Sequence, residues 1–260
     1  NVNDAPTGSV TISGILTEDQ MLTVSNSLSD LDGLGIVSYQ WYRDGVAISG
    51  ATGGAYTLGD ADVGATITVT ASYVDGHGTS ESVTSAGVGP ISNINDLPTG
   101  SVTISGTPTE DQTLTASNSL ADADGLGVIG YQWYRDGAAI TGATGATYTL
   151  GDLDVGTSIT VEASYVDAHG TSESVTRAAV GPSTNVNDAV AGAPVITGTP
   201  PVDQTLTADT TGISDADGLG AFSYQWYRDG VAISGATGAI YLLGGADVGT
   251  TITVEVSYTD

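Results

Sequence analysis

The sequence contains no cysteine and no lysine. Its only basic residues other than histidine are four arginines, against 30 aspartates and glutamates. Without cysteine the chain cannot be stabilised by disulfides, and with only His77 and His169 a zinc or copper site is not expected. The formal net charge of −26 argues against nucleic acid and anionic membranes as partners. So large a charge also repels itself unless cations bind, and the two expected sources of additional stability are bound metal ions and tight sandwich packing.

Long apolar runs and helical periodicity are also missing. No stretch of 18 apolar residues occurs, so neither a transmembrane helix nor membrane insertion is expected. The chain starts within a repeated pattern and shows no initiator methionine, signal peptide or lipidation motif, so we expect a piece of a longer protein. Apolar residues recur every second position, which favours strands over helices throughout.

What the sequence does have is a long internal repeat. The segment YQWYRDG occurs at 39–45, 131–137 and 224–230, so that its tryptophans, Trp41, Trp133 and Trp226, are 92 and 93 residues apart. A period of this length is one whole domain. Trp41 alternates with Gln40 and Tyr42, which predicts a half-buried strand with Trp41 as a core anchor. The alternative is a tryptophan that stacks on a ligand.

The repeat boundaries follow from a second motif. NVNDAPT at 1–7 returns as NINDLPT at 93–99 and NVNDAVA at 185–191, which predicts linkers and three domains at 1–92, 93–184 and 185–260. Each full copy reads as about seven short strands with turn signals every 8–12 residues. This pattern is typical of an immunoglobulin-like sandwich. The fold class is therefore all-β: three tandem immunoglobulin-like antiparallel β-sandwich domains in an elongated array.

The third copy ends at the position where the first copy has Tyr73-Val74-Asp75, so it is expected to lack its last hairpin and last strand. An unpaired sheet edge would follow, and this end would be the least stable part of the chain or would pair with another molecule. In the first copy we predict strands over 9–13, from Leu22 to Val24 or Leu28, over 39–43, near 46–48 and 55–58, from Ile67 to Tyr73, and within 82–90.

Carboxylates collect at the two ends of each predicted sandwich. Successive strands run up and down, so the linker, the loop at 29–35 and the last hairpin loop share one end, and the turns with Glu18 and Asp60 share the other. Where copies stack, these ends meet. The first junction then gathers Glu18, Asp60, Asn93, Asn95, Asp96, Asp122 and Asp124, and the second gathers Glu110, Asp152, Asn185, Asn187, Asp188, Asp215 and Asp217. The end that carries the linker and the last hairpin loop is called the upper end. At the upper end of the first copy the corresponding residues are Asn3, Asp4, Asp30, Asp32 and Asp75, and Asp167 is the equivalent of Asp75 in the second copy.

So many carboxylates in one interface would repel each other unless a cation screened them. An all-oxygen ligand set suits a hard cation with six to eight ligands, which is calcium. The motif is not a complete EF-hand, because no glutamate occupies the twelfth loop position. The third copy has Val202 and Gly245 where the first has Glu18 and Asp60, which predicts no full site below it.

Two other polar sets have structural explanations. Asp62, Asp154 and Asp247 precede Val-Gly and are expected to cap a tight turn rather than bind metal. Arg43, Arg135 and Arg228 share one strand position beside an aspartate. Each is expected to form a local, exposed ion pair of little energetic value or to lie over the sheet.

The motifs carry two resemblances. NVNDAPT and NINDLPT resemble the calcium-binding linkers of cadherins, in which linker Asn and Asp share ions with a glutamate near the first strand and an Asp-x-Asp in the next domain. That resemblance implies Asn95, Asp96, Glu18, Asp60, Asp122 and Asp124 as ligands. The first linker aspartate is Asn here and the cadherin Asp-Arg-Glu triplet is absent. The repeats themselves are similar to tandem repeats of large bacterial RTX-type surface adhesins, which implies a secreted, calcium-stiffened extender at the cell surface.

The sequence bears on three classes of function. A structural spacer that projects a distal binding domain in cell adhesion or biofilm formation fits near-identical copies, with neighbouring repeats as partners and an unknown adhesive target. A glycan-binding or protein-binding module is the alternative, with Tyr42, Tyr134 and Tyr227 as contacts. An enzyme is not expected, because no nucleophile and base are visible together and Asp30 and Asp32 share one loop instead of facing across a cleft.

Overall fold

The computed structural model describes residues 2–177 and 179–260. In the first copy, the strands are β1 (Val10–Ser13), β2 (Met21–Asn26), β3 (Ser38–Arg43), β4 (Val46–Ala47), β5 (Ala55–Thr57), β6 (Ile67–Val74) and β7 (Ser80–Thr84). They form two antiparallel sheets of order β1-β2-β5 and β4-β3-β6-β7. This is the strand arrangement of an immunoglobulin-like sandwich, as the repeat pattern predicts.

The second and third copies repeat this order. The second has β8 (Val102–Ser105), β9 (Thr113–Asn118), β10 (Gly130–Arg135), β11 (Ala138–Ala139), β12 (Thr147–Thr149), β13 (Ile159–Val166) and β14 (Ser172–Thr176), in sheets β12-β9-β8 and β11-β10-β13-β14. The third has β15 (Val195–Thr197), β16 (Thr205–Asp209), β17 (Ser223–Arg228), β18 (Val231–Ala232), β19 (Ile240–Leu242) and β20 (Ile252–Ser257). Its sheets are β15-β16-β19 and β18-β17-β20, so among the described residues of this copy no strand corresponds to β7 and β14, as expected.

The tryptophans are core anchors. Trp41 is fully buried between the two sheets with Leu22 of β2 and Ile67 of β6, and its indole N–H donates to the carbonyl of Gly53 at 3.0 Å. Trp133 and Trp226 are equally buried and make the same bond to the equivalent glycines. The side chains are thus enclosed and hydrogen-bonded, which confirms the core interpretation over the stacking one.

Several boundaries differ from the predicted ones. The last strand of the first copy spans Ser80–Thr84, not 82–90, because Ser80 and Glu81 already pair with Val74 and Tyr73 of β6. β1 begins at Val10 and β2 extends from Met21 to Asn26. The turn at 59–64 contains a short 3-10 helix over Asp60–Asp62, repeated at Asp152–Asp154 and Gly245–Asp247.

The prediction of weak, exposed arginine pairs is wrong. Arg43 donates from Nε to Asp62 at 2.7 Å, and Asp62 is completely buried. The Tyr56 hydroxyl and the Gly59 amide donate to the other carboxyl oxygen of Asp62, at 2.7 and 3.0 Å. The same set recurs in the other copies, at Arg135–Asp154–Tyr148 and Arg228–Asp247–Tyr241. The predicted turn cap is therefore correct, but the same carboxylate also neutralises a partly buried arginine.

The chain forms two compact units. The first comprises Asn1–Val102, Asn118–Tyr131 and Glu162–Thr176, and the second comprises Thr103–Ser117, Gln132–Val161 and Arg177–Asp260. The division passes through the second copy, so the predicted domain boundaries stay a prediction. Each unit contains one of the two internal linkers. In the part of the chain that the structure describes, no helix is long and apolar enough to cross a membrane.

Candidate metal centre

The first linker is hydrogen-bonded to the turn before β2 on one side and to the loop after β9 on the other. The Ile94 amide donates to Glu18 Oε1 at 2.6 Å, and the Glu18 amide donates to the Ser92 carbonyl at 3.0 Å. Two residues on, the Asp96 amide donates to Asp124 Oδ2 at 2.6 Å. The linker backbone therefore joins a glutamate of the first copy to an aspartate of the second.

The turn that presents Glu18 depends on an unusual backbone conformation. Asp19 has a φ of 60°, in the left-handed region that aspartate tolerates better than most residues. Its amide donates to the Leu58 carbonyl at 3.0 Å, which holds the turn against the strand at 55–57. Glu18 is left only 1% exposed, beneath the linker.

In Glu18 and in Asp124, one carboxylate oxygen accepts a linker amide and the other has no hydrogen-bond donor. Glu18 Oε2 and Asp124 Oδ1 are buried and have no hydrogen-bond partner, and Asn93 Oδ1 is in the same condition. The carboxylates of Glu18, Asp96 and Asp124 each place an oxygen within 4.8 Å of the others. Buried carboxylate oxygens without a donor are costly, so this cluster requires protons or a cation.

The electrostatics at the linker agree with that requirement. Burial raises the pKa of Glu18, and the carboxylates of Asp124, Asp60 and Asp96 raise it further, although the bond from Ile94 opposes them. Burial also raises the pKa of Asp96, and the negative charges of Asp60 and Asp124 raise it further. Asp60 therefore adds to the charge repulsion at this linker, and its role as a ligand stays a prediction.

The second linker repeats the arrangement within the second unit. The Val186 amide donates to Glu110 Oε2 at 3.1 Å, and the Asp188 amide donates to Asp217 Oδ2 at 2.7 Å. Glu110 Oε1 is buried without a partner, and Glu110, Asp188 and Asp217 bring their carboxylates within 4.8 Å of one another. The pKa of Glu110 is raised, since its bond from Val186 is outweighed by Asp152 and by burial.

The first aspartate of each Asp-x-Asp pair is held by a tyrosine that the sequence analysis did not identify. The Tyr73 hydroxyl donates to Asp30 at 2.6 Å, and Tyr165 and Tyr258 bond to Asp122 and Asp215 in the same way. The other oxygen of Asp122 accepts the Asp124 amide at 2.9 Å. Asp122 thus shapes the loop that presents Asp124, and its own role as a ligand stays a prediction. The constant separation of 43 residues between tyrosine and aspartate was the available signal.

The hairpin aspartates are also partly open. Asp75 Oδ1 accepts the amides of His77 and Thr79, both at 2.8 Å, while its Oδ2 is buried without a partner. The bonds, that from Thr79 foremost, lower the pKa of Asp75 and keep it ionised. Asp167 has the same geometry. The adjacent His77 and His169 reach to within 3.6 and 4.0 Å of Asp32 and Asp124.

The other residues predicted as ligands lie at the upper end of the first copy, in the linkers and near the end of the third copy. At the upper end of the first copy, the Asp4 amide donates to Asp32 at 2.8 Å, as at the two linkers. The amide groups of Asn95 and Asn187 donate within the protein, to Glu173 and to the Asp188 carbonyl respectively. Asn185 is exposed. Asp215 and Asp217 also approach Asp260, which forms a third group of carboxylates.

Comparison with known proteins adds little. No family model matches the chain, and no curated protein matches it. Among solved structures, three N-terminal domains of the outer capsid protein Hoc of bacteriophage RB49 are 16% identical, with 97% of this chain and 95% of that chain covered and a TM-score of 0.26. A Ca2+-stabilized adhesin with which an Antarctic bacterium binds ice is 12% identical, with 99% and 74% covered and a TM-score of 0.30.

A third structure, domains A168–A170 of titin, is 15% identical, with 98% of this chain and 92% of that chain covered and a TM-score of 0.26. All three similarities are too weak to bear on what this chain binds. The fold assignment therefore rests on the strand order, and the site assignment on the carboxylate geometry described above.

Proposed function

We propose that this chain is part of the extender region of a bacterial cell-surface adhesin, in which calcium ions at the linkers stiffen a series of immunoglobulin-like domains. The observation that supports the proposal is the recurrent linker geometry. At both linkers a buried glutamate of one copy and an aspartate of the next each accept a linker amide with one carboxylate oxygen. The other oxygen of Glu18, of Glu110 and of Asp124 is buried without a donor.

The donor set favours calcium over other ions. The open oxygens at the first linker belong to carboxylates and to the amide side chain of Asn93, with no sulfur present in this cysteine-free chain. Hard oxygen donors suit calcium and magnesium, and a mixed set of carboxylate, amide and water ligands suits the larger, more flexible shell of calcium. Glu18, Asp96 and Asp124 would hold the ion at the first linker, and Glu110, Asp188 and Asp217 would hold it at the second.

A cation would change the mechanics of the linker. Without it, the carboxylates repel and the raised pKa values record the cost of keeping them ionised. With it, one ion is bound by residues of two copies and of the linker between them, so bending would require the loss of ligands. Ions that bind only the folded chain also stabilise it by mass action. A spacer that holds a distal binding domain away from a cell surface would benefit from both effects.

The proposal is tested by calcium titration of the chain with isothermal calorimetry, together with melting curves in about 5 mM calcium and in excess chelator. We expect saturable binding and a melting temperature that is higher by several degrees in calcium. Glu18→Gln combined with Glu110→Gln keeps the shape of both turns and should remove most of the shift. Equal melting temperatures in calcium and chelator would overturn the proposal and favour a ligand-binding module instead.

A further inference from the structure

A glutamate on the last strand of a copy holds the linker that leads into that copy. The side-chain amide of Asn95 donates to Glu173 Oε1 at 2.7 Å and to the Asp96 carbonyl at 3.2 Å. At the start of the chain, the Asn3 amide donates to Glu81 Oε1 at 2.6 Å. Both pairs are 78 residues apart, so the contact recurs at the same place in the first two copies.

The glutamate is built into the same region as the candidate ligands. Glu173 is the second residue of β14 and stands opposite Tyr165 of β13. Tyr165 in turn bonds to Asp122, whose other oxygen accepts the Asp124 amide. The strand pair β13–β14 therefore supports the linker at two points. It holds the linker residue Asn95 through Glu173, and it holds Asp124, which accepts the Asp96 amide, through Tyr165 and Asp122.

The consequence is that two consecutive linker residues are fixed on the second copy. Asn95 is held through its side chain, and Asp96 through its backbone amide at Asp124 Oδ2. A linker that is free to turn at Asn95 would move the Asp96 amide and the Asp96 carboxylate together, because they belong to one residue. Holding Asn95 fixes the direction in which Asp96 enters the cluster.

We propose that Glu173 is a positioning residue, which orders the linker on the second copy before any cation binds, and that Glu81 does the same for Asn3 and Asp4. The effect on cation affinity rests on the proposed calcium function, whereas the ordering of the linker does not. Glu173 need not contact the ion. Its bond with Asn95 reduces the freedom that the linker would otherwise lose on binding, as residues behind metal ligands commonly do.

The first test measures linker order without metal. In excess chelator, NMR gives the exchange rate of the Asp96 and Asp4 amides with water in the full chain. Glu173→Ala should speed exchange at Asp96 about tenfold and leave Asp4 unchanged, and Glu81→Ala should do the reverse. The two variants remove the same charge from equivalent strand positions, so each is the matched control for the other. Unchanged exchange at Asp96 in Glu173→Ala would overturn the proposal, whatever the outcome for calcium.

The second test separates position from charge. Glu173→Gln keeps a side-chain oxygen that can accept from Asn95 but removes the negative charge. If Glu173 positions the linker, Glu173→Gln should exchange like the natural chain and, in calorimetry, keep its calcium affinity, while Glu173→Ala binds about tenfold more weakly. If Glu173→Gln is as impaired as Glu173→Ala in both measurements, the residue acts through its charge and the proposal is wrong.

Discussion

At the scale of single residues, buried carboxylates perform two different tasks in this chain. Asp62 is fully buried and all its oxygens accept bonds, from Arg43, Tyr56 and Gly59. Glu18 is equally buried, but one of its oxygens has no donor. Burial alone therefore does not separate a structural aspartate from a candidate ligand, whereas the count of donors does.

Asp62→Ala is expected to destabilise the first copy strongly. The substitution leaves the partly buried Arg43 without its counter-charge and the Tyr56 hydroxyl without its acceptor, at a cost of about 3–5 kcal/mol. Chemical unfolding in chelator measures the loss. Asp60→Ala, two residues away and exposed, is the control and should change the free energy of unfolding by less than about 1 kcal/mol. Similar losses in both variants would contradict this account of the Arg43 network.

The stability of the cation-free chain should rise on mild acidification. The pKa values of Glu18 and Asp96 are raised above their ordinary 4.5 and 3.8, so the folded chain binds protons more tightly than the unfolded chain. This contribution is fully present below those ordinary values and is lost as the pH rises through the raised ones. The lowered pKa of Asp75 stabilises the fold by a constant amount above its ordinary 3.8, and this contribution is lost only below that value, outside the range tested.

Melting curves at pH 7 and about pH 5 check that sign. In chelator, the melting temperature should be higher at pH 5. In saturating calcium it should be lower at pH 5, because protons compete with the ion for the same oxygens. Glu18→Gln should weaken the pH dependence in chelator. The same direction of change in both buffers would contradict the assignment.

At the scale of elements, the sequence predicted best those segments that alternate strictly. β6 was predicted because Ile67, Val69, Ala71 and Tyr73 all point inward, and the structure buries all four. The pattern predicts the last strand two residues too late, since Ser80 and Glu81 carry no apolar period and become strand only by pairing with β6. The carboxylate clusters were predicted from which loops share an end of the sandwich. The tyrosine and glutamate supports were not, because their partners are 43 and 78 residues away and only strand pairing brings them together.

The third copy shows which substitutions should remove a cation site. It has Val202 and Gly245 where the first copy has Glu18 and Asp60. Transferring them as Glu18→Val with Asp60→Gly should abolish calcium binding at the first linker and roughly halve the calcium-dependent rise in melting temperature, because the second linker is untouched. In chelator the variant should melt no lower than the natural chain, since two repelling carboxylates are gone. Calorimetry and melting curves measure both effects, and undiminished calcium binding would exclude Glu18 as a ligand.

At the scale of the whole molecule, charge and core size act against each other. Thirty acidic residues are carried by repeats that each have a small core and no disulfide. General screening by salt would reduce this repulsion everywhere, whereas the proposed calcium binding would reduce it at the linkers in particular. The two must therefore be separated by experiment.

Small-angle scattering of the chain in chelator, in chelator with about 300 mM sodium chloride, and in about 2 mM calcium makes the separation. We expect salt to change the scattering curve slightly and calcium to reduce the spread of conformations markedly, because the proposed sites take residues from both sides of a linker. Magnesium at the same concentration is the control for ion size and should act more weakly. Equal effects of salt and calcium would mean that screening alone is at work.

The linker geometry means that the repeat of the sequence and the candidate cation site are different units. Each candidate site takes Glu18 or Glu110 from one copy and Asp124 or Asp217 from the next, so a single repeat in isolation holds only parts of two sites. A duplication that adds one repeat therefore adds one complete boundary. The stabilisation by cations would increase with the number of boundaries between repeats. A repeat with Val202 and Gly245 in place of Glu18 and Asp60 would contribute no complete site at its following boundary.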